Sequence, residues 1–529
     1  MVGPGAGVCV SMVTPIQVGD LDKVGVLGDL FDPSFPPNGF VEAENVRLLN
    51  GKVSRSLGRR LVAALPDDLY HLLFVAAQPS YWIIAGLNEV YTWNGVAFTE
   101  VTRVAGDYTA SLDYLWNSDV FGGVAILNNG VDAPQYQTGD AFDDKFADFP
   151  AWPTNYKAKI VRSFLNYIIA YNITTASGNF PHMVKWSSPA APGSMPSSWD
   201  AADSAEDANE IELFDSWAGP IIDALPLKDL NFVYKANSIW SMRPIPSAFV
   251  FDIKQVNTSV GLLAKNCVKP IANGSAHLFA SHNDLYIFDG TEPRSALSKK
   301  VRDKYLALRS EAYIQNSFMV SNPRYKEILF CWPSESARWP NRALVINEET
   351  GAVSFRNLLP TPHMNLGDNI TVADSWDTSS GAWDDDLSSW DSDAVFVSGQ
   401  DLHSISAGPA NFYQEDIVLA DTDQSSKVVL VLSLEKNLQG AVVTEVSYHK
   451  TFLRAKLNLK GKVYWRIGGK PTVESDIVWS QKKVYDASQH PWIEAVVTNR
   501  ILYLELSSIN NYPFSFDSYE VQLTRKGRW

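Results

Sequence analysis

FVYKANSIWSM (residues 232–242) is the stretch that decides the fold: a hydrophobic run leads to Asn237, then an aliphatic and an aromatic residue. Related copies are WIIAGLNEVYTW (residues 82–93), LFASHNDLYIF (residues 278–288) and, more weakly, VFVSGQDLHSI (residues 395–405). Asparagine and its polar neighbour tolerate positive φ and suit a tight two-residue turn, and the flanking alternation gives each strand one buried face. This hairpin motif predicts a repeated hairpin, and therefore a radial β architecture.

Further strand-like clusters lie between the copies of the hairpin motif, and together they form six or seven units of roughly 45 to 65 residues, the size of propeller blades. We therefore predict an all-β protein with a β-propeller of six or seven irregular blades over residues 63–415. Residues 1–62 are expected to form an arm with a hairpin, which either stands alone or joins the platform. Longer alternating runs predict a β-sandwich-like platform over residues 416–529.

Local signals refine this division of the chain. The Asn50-Gly51 pair predicts a hairpin turn in the arm, and the best helical period covers residues 298–308. The basic residues that follow the hairpin suit either a contact with DNA or a partner, or a solvated strand edge that basic side chains protect from stray pairing. These residues are Arg55, Arg59 and Arg60.

Composition narrows the class of function. The 529 residues carry a net charge of −15, which argues against wrapping nucleic acid for affinity but is compatible with a passive DNA conduit. Cys9, Cys267 and Cys331 are far apart and form no Cys-x-x-Cys pair, which fits a reducing compartment better than a disulfide framework. The N-terminal residues lack the pattern of a secretion signal, and no apolar run is long enough to insert into a membrane.

The residue patterns of common catalytic sites do not occur in the sequence. Its eight histidines form no His-x-x-x-His pair, and neither a Gly-x-Ser-x-Gly elbow nor a phosphate loop is present. We therefore predict no catalytic residue, metal or cofactor, and no enzyme activity. A propeller glycoside hydrolase or carbohydrate-binding module stays open as the alternative, because a catalytic pair of carboxylates need not be close in sequence.

Two acidic insertions interrupt the predicted propeller, near residues 189–215 and 374–393. The second contains three tryptophans at seven-residue spacing, but the Ser, Gly and Asp between them favour a loop over a helix. Clustered aspartates can hold Ca²⁺, although no EF-hand spacing is present, and they can also form a plain solvated surface. As candidates for facing a lumen or a partner protein we take Trp376, Asp377, Trp383, Asp384, Asp385, Asp386, Trp390 and Asp391. The loop from Asp200 to Asp215 is the alternative candidate for such a surface.

One span resembles a known class of proteins. Its strings are KDLNFVYKANSIWSMR (residues 228–243), GLLAKNC (residues 261–267), NDLYIFDG (residues 283–290) and KKVR (residues 299–302). They resemble the tail hub or nozzle proteins of short-tailed bacteriophages, the podoviruses, a class also called packaged-DNA stabilisation proteins. When weaker similarities are included, the resemblance extends over much of residues 160–400.

The resemblance implies a non-enzymatic virion protein. Such a protein forms a homo-oligomeric ring, a hexamer, in which propeller and platform surround a channel that continues below the portal. It helps to retain the packaged genome and passes it during ejection, so double-stranded DNA is a transient and non-specific partner. The other implied partners are portal or adaptor proteins and tail fibres or other tail proteins, and assembly takes place in the host cytoplasm.

Overall fold

Antiparallel strands make up nearly all of the regular secondary structure of the described residues, as the alternating hydrophobic runs predict. The computed structural model describes residues 15–27, 35–138, 141–203, 205–215, 219–247, 249–368, 370, 400–418, 425–437, 439–510 and 512–526. Only 3% of the chain is helical. Six small sheets are arranged as the blades of a β-propeller, and a larger sheet forms a further domain. The predicted all-β class, propeller with platform, is confirmed.

The arm supplies five strands: β1 (Ile16–Val18), β2 (Phe40–Glu44), β3 (Val46–Leu49), β4 (Lys52–Arg55) and β5 (Gly58–Ala64). Five four-stranded blades follow in chain order. The first three comprise β6 (Leu69–Val75), β7 (Tyr81–Gly86), β8 (Val90–Trp93) and β9 (Phe98–Glu100); β10 (Asn117–Phe121), β11 (Val124–Asn128), β12 (Gln135–Gln137) and β13 (Ala147–Asp148); and β14 (Lys157–Phe164), β15 (Tyr167–Thr175), β16 (Gly178–Trp186) and β17 (Asn209–Glu212). The fourth and fifth comprise β18 (Ile221–Leu227), β19 (Leu230–Lys235), β20 (Ile239–Pro244) and β21 (Phe251–Asn257); and β22 (Val268–Ile271), β23 (Ala276–Ala280), β24 (Leu285–Phe288) and β25 (Pro293–Ser295).

The ring closes through two less regular units. After helix α1 (Lys299–Leu308) and the 3₁₀ turn Ile314–Asn316, the next meander comprises β26 (Phe318–Asn322), the 3₁₀ turn Pro323–Tyr325, β27 (Glu327–Trp332), β28 (Arg342–Asn347) and β29 (Val353–Asn357). The sixth separate blade joins β30 (His363–Gly367), β31 (Asp401–Ser406) and β32 (Asn411–Val418) to β5 of the arm. Because β26 contacts both β22 and β30, the meander stands between the fifth and sixth separate blades and completes the circle.

The platform combines strands from both ends of the chain. Its C-terminal strands are β33 (Lys427–Val431), β34 (Leu434–Lys436), β35 (Val442–Thr444), β36 (Lys450–Lys470), β37 (Val478–Trp479), β38 (Lys483–Asp486), β39 (Trp492–Asn499), β40 (Ile501–Ser508) and β41 (Phe514–Arg525). Strands β1 and β4 of the arm pair with β41, and β2 lies between β33 and β29. The platform sheet is therefore continuous with the meander of the propeller.

The hairpin motif marks the turn between the second and third strands of a blade. In three copies the backbone N–H two residues before the asparagine donates to the carbonyl one residue after it, at 2.8 to 2.9 Å. This confirms a two-residue turn, but Asn88, Asn237 and Asn283 are not among the residues with positive φ, so the turn does not use that property of asparagine. The fourth copy does not fit, because β31 pairs with β30 and β32.

The structure also bears on three local predictions: the Asn-Gly turn, the helix and the basic cluster. Asn50 and Gly51 both adopt positive φ, at 55° and 79°, between β3 and β4, as an Asn-Gly hairpin turn requires. Helix α1 begins after Ser298, whose side chain accepts the N–H of Val301. The basic cluster is only partly a solvated edge, because Arg55 is 6% exposed and donates to the Asn510 carbonyl, whereas Arg60 is exposed and donates to Gln414.

Gly461 lies inside the 21-residue strand β36, at a positive φ of 95°. A methyl group there would sit 2.1 Å from the Pro513 carbonyl oxygen. We expect Gly461→Ala to destabilise the protein by roughly 2–3 kcal/mol, measured by urea unfolding, because a side chain at positive φ and a steric clash add together. The matched control is Gly440→Ala, whose φ is 81° but which has open space around it, so only about 1 kcal/mol should be lost. Equal losses would contradict the steric explanation.

Candidate functional site

The acidic tryptophan segment predicted as a contact surface lies outside the described residues, since Trp376, Asp377, Trp383, Asp384, Asp385, Asp386, Trp390 and Asp391 all fall within 371–399. The other acidic insertion is largely described. Its Trp199 is 1% exposed and packs against Trp152 with ring centroids 4.7 Å apart, so the insertion is anchored to the propeller.

Asp215, at the end of this insertion, does not face a lumen or a partner. Its carboxylate is 3.3 Å from the buried Lys235 Nζ and accepts a hydrogen bond from the Ser238 hydroxyl. Burial raises the pKa of Asp215, but Ser238 and Lys235 outweigh this, and the pKa lies below its ordinary value. The Asp215 carboxylate therefore neutralises a buried lysine and is not part of an exposed acidic surface. Asp200 is exposed, so its contact stays a prediction.

A cavity of about 250 Å³ lies where the first strands of the six blades and the meander converge. Each of these seven units contributes to the wall, either from its first strand or from the residues just before that strand. One lining residue from each unit, in chain order, is His71, Tyr114, Lys159, Ile221, Lys265, Ser317 and His363. We call this space the axial cavity. It belongs to one chain and needs no second subunit for its walls.

A buried ion pair fixes one side of the axial cavity. Arg162 on β14 donates to both oxygens of Asp223 on β18, each at 2.8 Å, and to the Ser118 carbonyl at 2.7 Å. Asn266 donates its backbone N–H to Asp223 at 2.8 Å and accepts from Arg162 at 2.9 Å. Four neighbouring blades are thereby joined. Since the Asp223 carboxylate is committed to Arg162 and Asn266, it is not a free counter-charge for other cations.

Two lysines approach the same aromatic ring in the axial cavity. Lys265 Nζ lies 3.9 Å and Lys159 Nζ 4.3 Å from the centroid of Tyr114, whose hydroxyl donates to the Lys159 carbonyl at 2.6 Å. Lys265 Nζ is buried and has no hydrogen-bond partner among the described residues. Burial, helped by the neighbouring Arg162 and Lys159, lowers the pKa of Lys265 well below its ordinary value. The Lys265 amino group therefore has no compensating anion among the described residues.

Two histidines form the opposite, uncharged part of the wall. The rings of His71 and His363 are 4.4 Å apart between centroids. His71 Nε2 shares a 2.8 Å hydrogen bond with the Ser118 hydroxyl, and His363 Nδ1 accepts the N–H of Leu72 at 3.3 Å. Burial lowers the pKa of His363 to about 3, so this imidazole is neutral at pH 7.

The chemistry of the axial cavity is that of a cation-rich pocket with polar hydrogen-bonding groups. Asp113 is the one carboxylate in the described lining, and it is paired with Arg338 at 2.8 Å. Glycoside hydrolysis requires two carboxylates across the scissile bond, and the cavity does not bring two together. Sequence reasoning missed this pocket because Lys159 and Lys265 belong to different blades, and the sequence alone does not show which blade ends converge.

The platform presents a second candidate surface, made of strand edges. Strands β37, β38 and β39 each pair with β36 alone among the described strands. Each exposes one large valine, and these are Val478 at 73%, Val484 at 59% and Val496 at 81%. Unpaired strand edges with apolar side chains are prone to pair with another chain. We call these three strands the platform edge.

Metal sites and membrane-spanning helices are two further features that bear on function in the described part of the chain. There, no group of three His, Cys, Asp or Glu side chains is placed to hold a metal ion. None of the helices described is both long enough and apolar enough to span a membrane.

Comparison with known proteins gave no match to a family or to a curated sequence, whereas solved structures do match, among them the following two. Neither a protein family nor a curated protein matches the chain. A functionally unknown protein from Desulfotomaculum acetoxidans is 11% identical, with a TM-score of 0.34 over 58% of this chain and 96% of that one. The extracellular domain of a candidate one component system from B. thetaiotaomicron is 9% identical, with a TM-score of 0.39 over 87% of this chain and 59% of that one. These likenesses are too weak to bear on function.

Proposed function

We propose that the protein is a structural ring component of a short-tailed phage tail, of the hub or nozzle class. In this role six copies surround the DNA channel below the portal, help to retain the packaged genome and let it pass during ejection. The role needs no catalytic chemistry from the chain. It needs a rigid subunit, a surface that joins identical copies and a lining that does not bind DNA tightly.

The observation that carries the proposal is the platform edge. Three strands that each pair with the long strand β36 on one edge leave the other edge unpaired among the described strands, and each exposes one valine. A soluble monomer normally protects such edges with charge or covers them. A ring of identical subunits covers them instead, because each copy presents the edge to its neighbour.

The platform is joined to the propeller in a way that suits a mechanical role in a ring. The platform sheet runs through β2 into the meander of the propeller, so the two parts share backbone hydrogen bonds. A buried ion network further joins β3, β27, β29 and β32, and its members are Arg47, Glu327, Arg356, Glu415 and Asp416. Such a subunit transmits force between platform and propeller as one body.

Sequence and charge agree with the same role. The phage-like strings at 228–243 and 283–290 coincide with the hairpins of the fourth and fifth blades, so the resemblance falls on propeller scaffold. The net charge of −15 opposes tight binding of a polyanion, because phosphate contacts require lysine and arginine. DNA that must slide through a channel benefits from this weak attraction.

The ring is the testable part of the proposal. We expect the purified protein to form annular particles in negative-stain images. We expect the double variant Val484→Glu/Val496→Glu to weaken assembly by roughly a hundredfold or more, because two charges would be buried at the joint. Sedimentation velocity over a concentration series gives the measurement.

The matched control is Val104→Glu, which adds the same charge at a valine that is 84% exposed and lies after the first blade. This variant should assemble like the wild type. A wild-type protein that stays monomeric at all concentrations, or a platform variant that assembles normally, contradicts the ring. The tail location is tested separately, by immunogold labelling of purified virions. A monomer that hydrolyses a glycan would instead favour the propeller glycosidase.

A further inference from the structure

The axial cavity contains two polar groups that the chain leaves unsatisfied. Besides Lys265 Nζ, the Ser317 hydroxyl is buried and has no hydrogen-bond partner among the described residues. Both residues line the cavity, from neighbouring units of the ring. A buried donor without a partner destabilises the folded state, and a buried charge without a partner does so more strongly. Both groups are therefore available to a polar ligand that enters the pocket.

Charge decides the nature of this ligand. The Arg162 charge is matched by Asp223, and the Arg338 charge by Asp113. Among the described residues, the amino groups of Lys159 and Lys265 contact the face of Tyr114 and form no ion pair. A cation–π contact does not neutralise a charge. The two lysines of the cavity are therefore the basic groups without a carboxylate partner among the described residues.

From these contacts we infer that the axial cavity binds a small divalent oxyanion, a phosphate monoester or a dicarboxylate. Lys265 and Lys159 supply the counter-charges and Ser317 donates a hydrogen bond to an oxygen of the ligand. Charge-assisted hydrogen bonds of this kind are the strong ones in proteins. The volume of about 250 Å³ admits a small molecule and excludes a nucleic-acid duplex. This site is independent of ring assembly, since one chain forms all of its walls.

A proton is expected to accompany the anion. Burial and the nearby cations Arg162 and Lys159 lower the pKa of Lys265, while Asp223 opposes them. A bound dianion favours the charged ammonium, so the pKa rises and the lysine takes up protons on binding. A purely structural lysine would show no such uptake, which makes proton exchange a specific signature of the site.

The test is isothermal titration of the full-length protein with sodium phosphate and with sodium malonate, at pH 7 and constant ionic strength. We expect at least one dianion to bind with a Kd below about 1 mM. Repeating the titration in two buffers of different ionisation enthalpy should reveal proton uptake. Binding of phosphate would identify a phosphate-bearing ligand, and binding of malonate would identify a dicarboxylate.

Variants separate the site from unspecific salt effects. Lys265→Met should weaken binding at least tenfold and remove the proton uptake, whereas Ser317→Ala should weaken binding and keep the uptake. The matched control is Lys254→Met, on a lysine that is 69% exposed, and it should bind like the wild type. If neither dianion binds the wild type with a Kd below about 1 mM, or if Lys265→Met binds as tightly as the wild type, the inference is wrong. Should Lys265→Met fail to fold, unchanged binding in Ser317→Ala overturns it.

Discussion

Replacing Arg356 by methionine is expected to destabilise the protein by about 3–5 kcal/mol, because it leaves buried carboxylates without their cation. Arg356 is 3% exposed and contacts Glu415 at 3.2 Å and Asp416 at 3.0 Å. Asp416 also contacts Arg47 at 3.1 Å, and Arg47 donates to Glu327 at 2.9 Å. The change should appear as a lower urea midpoint and a lower Tm.

The pKa shifts in this network show how much the carboxylates depend on arginine. Burial raises the pKa of Asp416, but Arg356 and Arg47 outweigh it and hold the pKa below its ordinary value. For Glu327, burial outweighs Arg47 and the pKa is raised. Without Arg356, Arg47 is the one arginine left to offset the effect of burial on the pKa of Asp416. That carboxylate must then either stay charged at a high cost or bind a proton.

The control for Arg356→Met removes an arginine from the surface. Arg243 is 58% exposed and pairs with Asp252 at 3.2 Å, a geometry worth about 0–1 kcal/mol. We expect Arg243→Met to leave the urea midpoint nearly unchanged. A loss below about 1 kcal/mol in Arg356→Met would show that the network relaxes or admits water, and would contradict its role as the joint between propeller and platform.

Local patterns were the part of the fold that the sequence predicted well. The hairpin motif located three turns to the residue, and Ser298 marked the start of the single α-helix among the described residues. These signals work because turns and caps depend on neighbouring residues. The fourth copy of the motif, residues 395–405, failed because its strand β31 takes β30 as partner, and pairing depends on the rest of the blade.

Long-range pairing set the limit of prediction. Strand β5 was assigned to the arm, yet it completes the sixth separate blade by pairing with β32. The axial cavity was missed for the same reason, since its lysines meet only when the ring closes. The alternation of a strand reveals that one face is buried, but not which strand covers its edge. The acidic segment that was predicted as a contact surface, residues 374–393, lies outside the described residues and stays a prediction.

Mild acid is expected to destabilise the protein strongly, in the range from pH 6.5 down to about 4. Burial lowers the pKa of His277 and His403 to about 4 and that of His363 to about 3. An unfolded histidine has a pKa near 6.5 and takes up a proton on unfolding below that pH. The stabilising effect is therefore present above pH 6.5 and is lost as the pH falls. Together the three histidines should lower the free energy of unfolding by roughly 5–6 kcal/mol between pH 7 and pH 5.

His277 shows why the folded state resists this proton. Its Nε2–H donates to the Pro226 carbonyl at 3.0 Å, because a carbonyl can only accept. Nδ1 therefore accepts from the Tyr234 hydroxyl at 2.8 Å, and a second ring proton on Nδ1 would leave the Tyr234 O–H without its acceptor. The side chain is fully buried, so no water can replace the lost partner.

The histidine contribution can be isolated by the slope of stability against pH between 6.5 and 5, where most carboxylates are still ionised. His277→Gln keeps one acceptor for Tyr234 and one donor for Pro226 but cannot bind the proton, so the mean slope over this range should fall by about 1 kcal/mol per pH unit whatever the change at pH 7. His490→Gln, at an exposed position, is the control for losing an imidazole. If the slope in His277→Gln equals that of the wild type, the buried ring is not the source, because a group that takes up no proton on unfolding cannot make stability depend on pH.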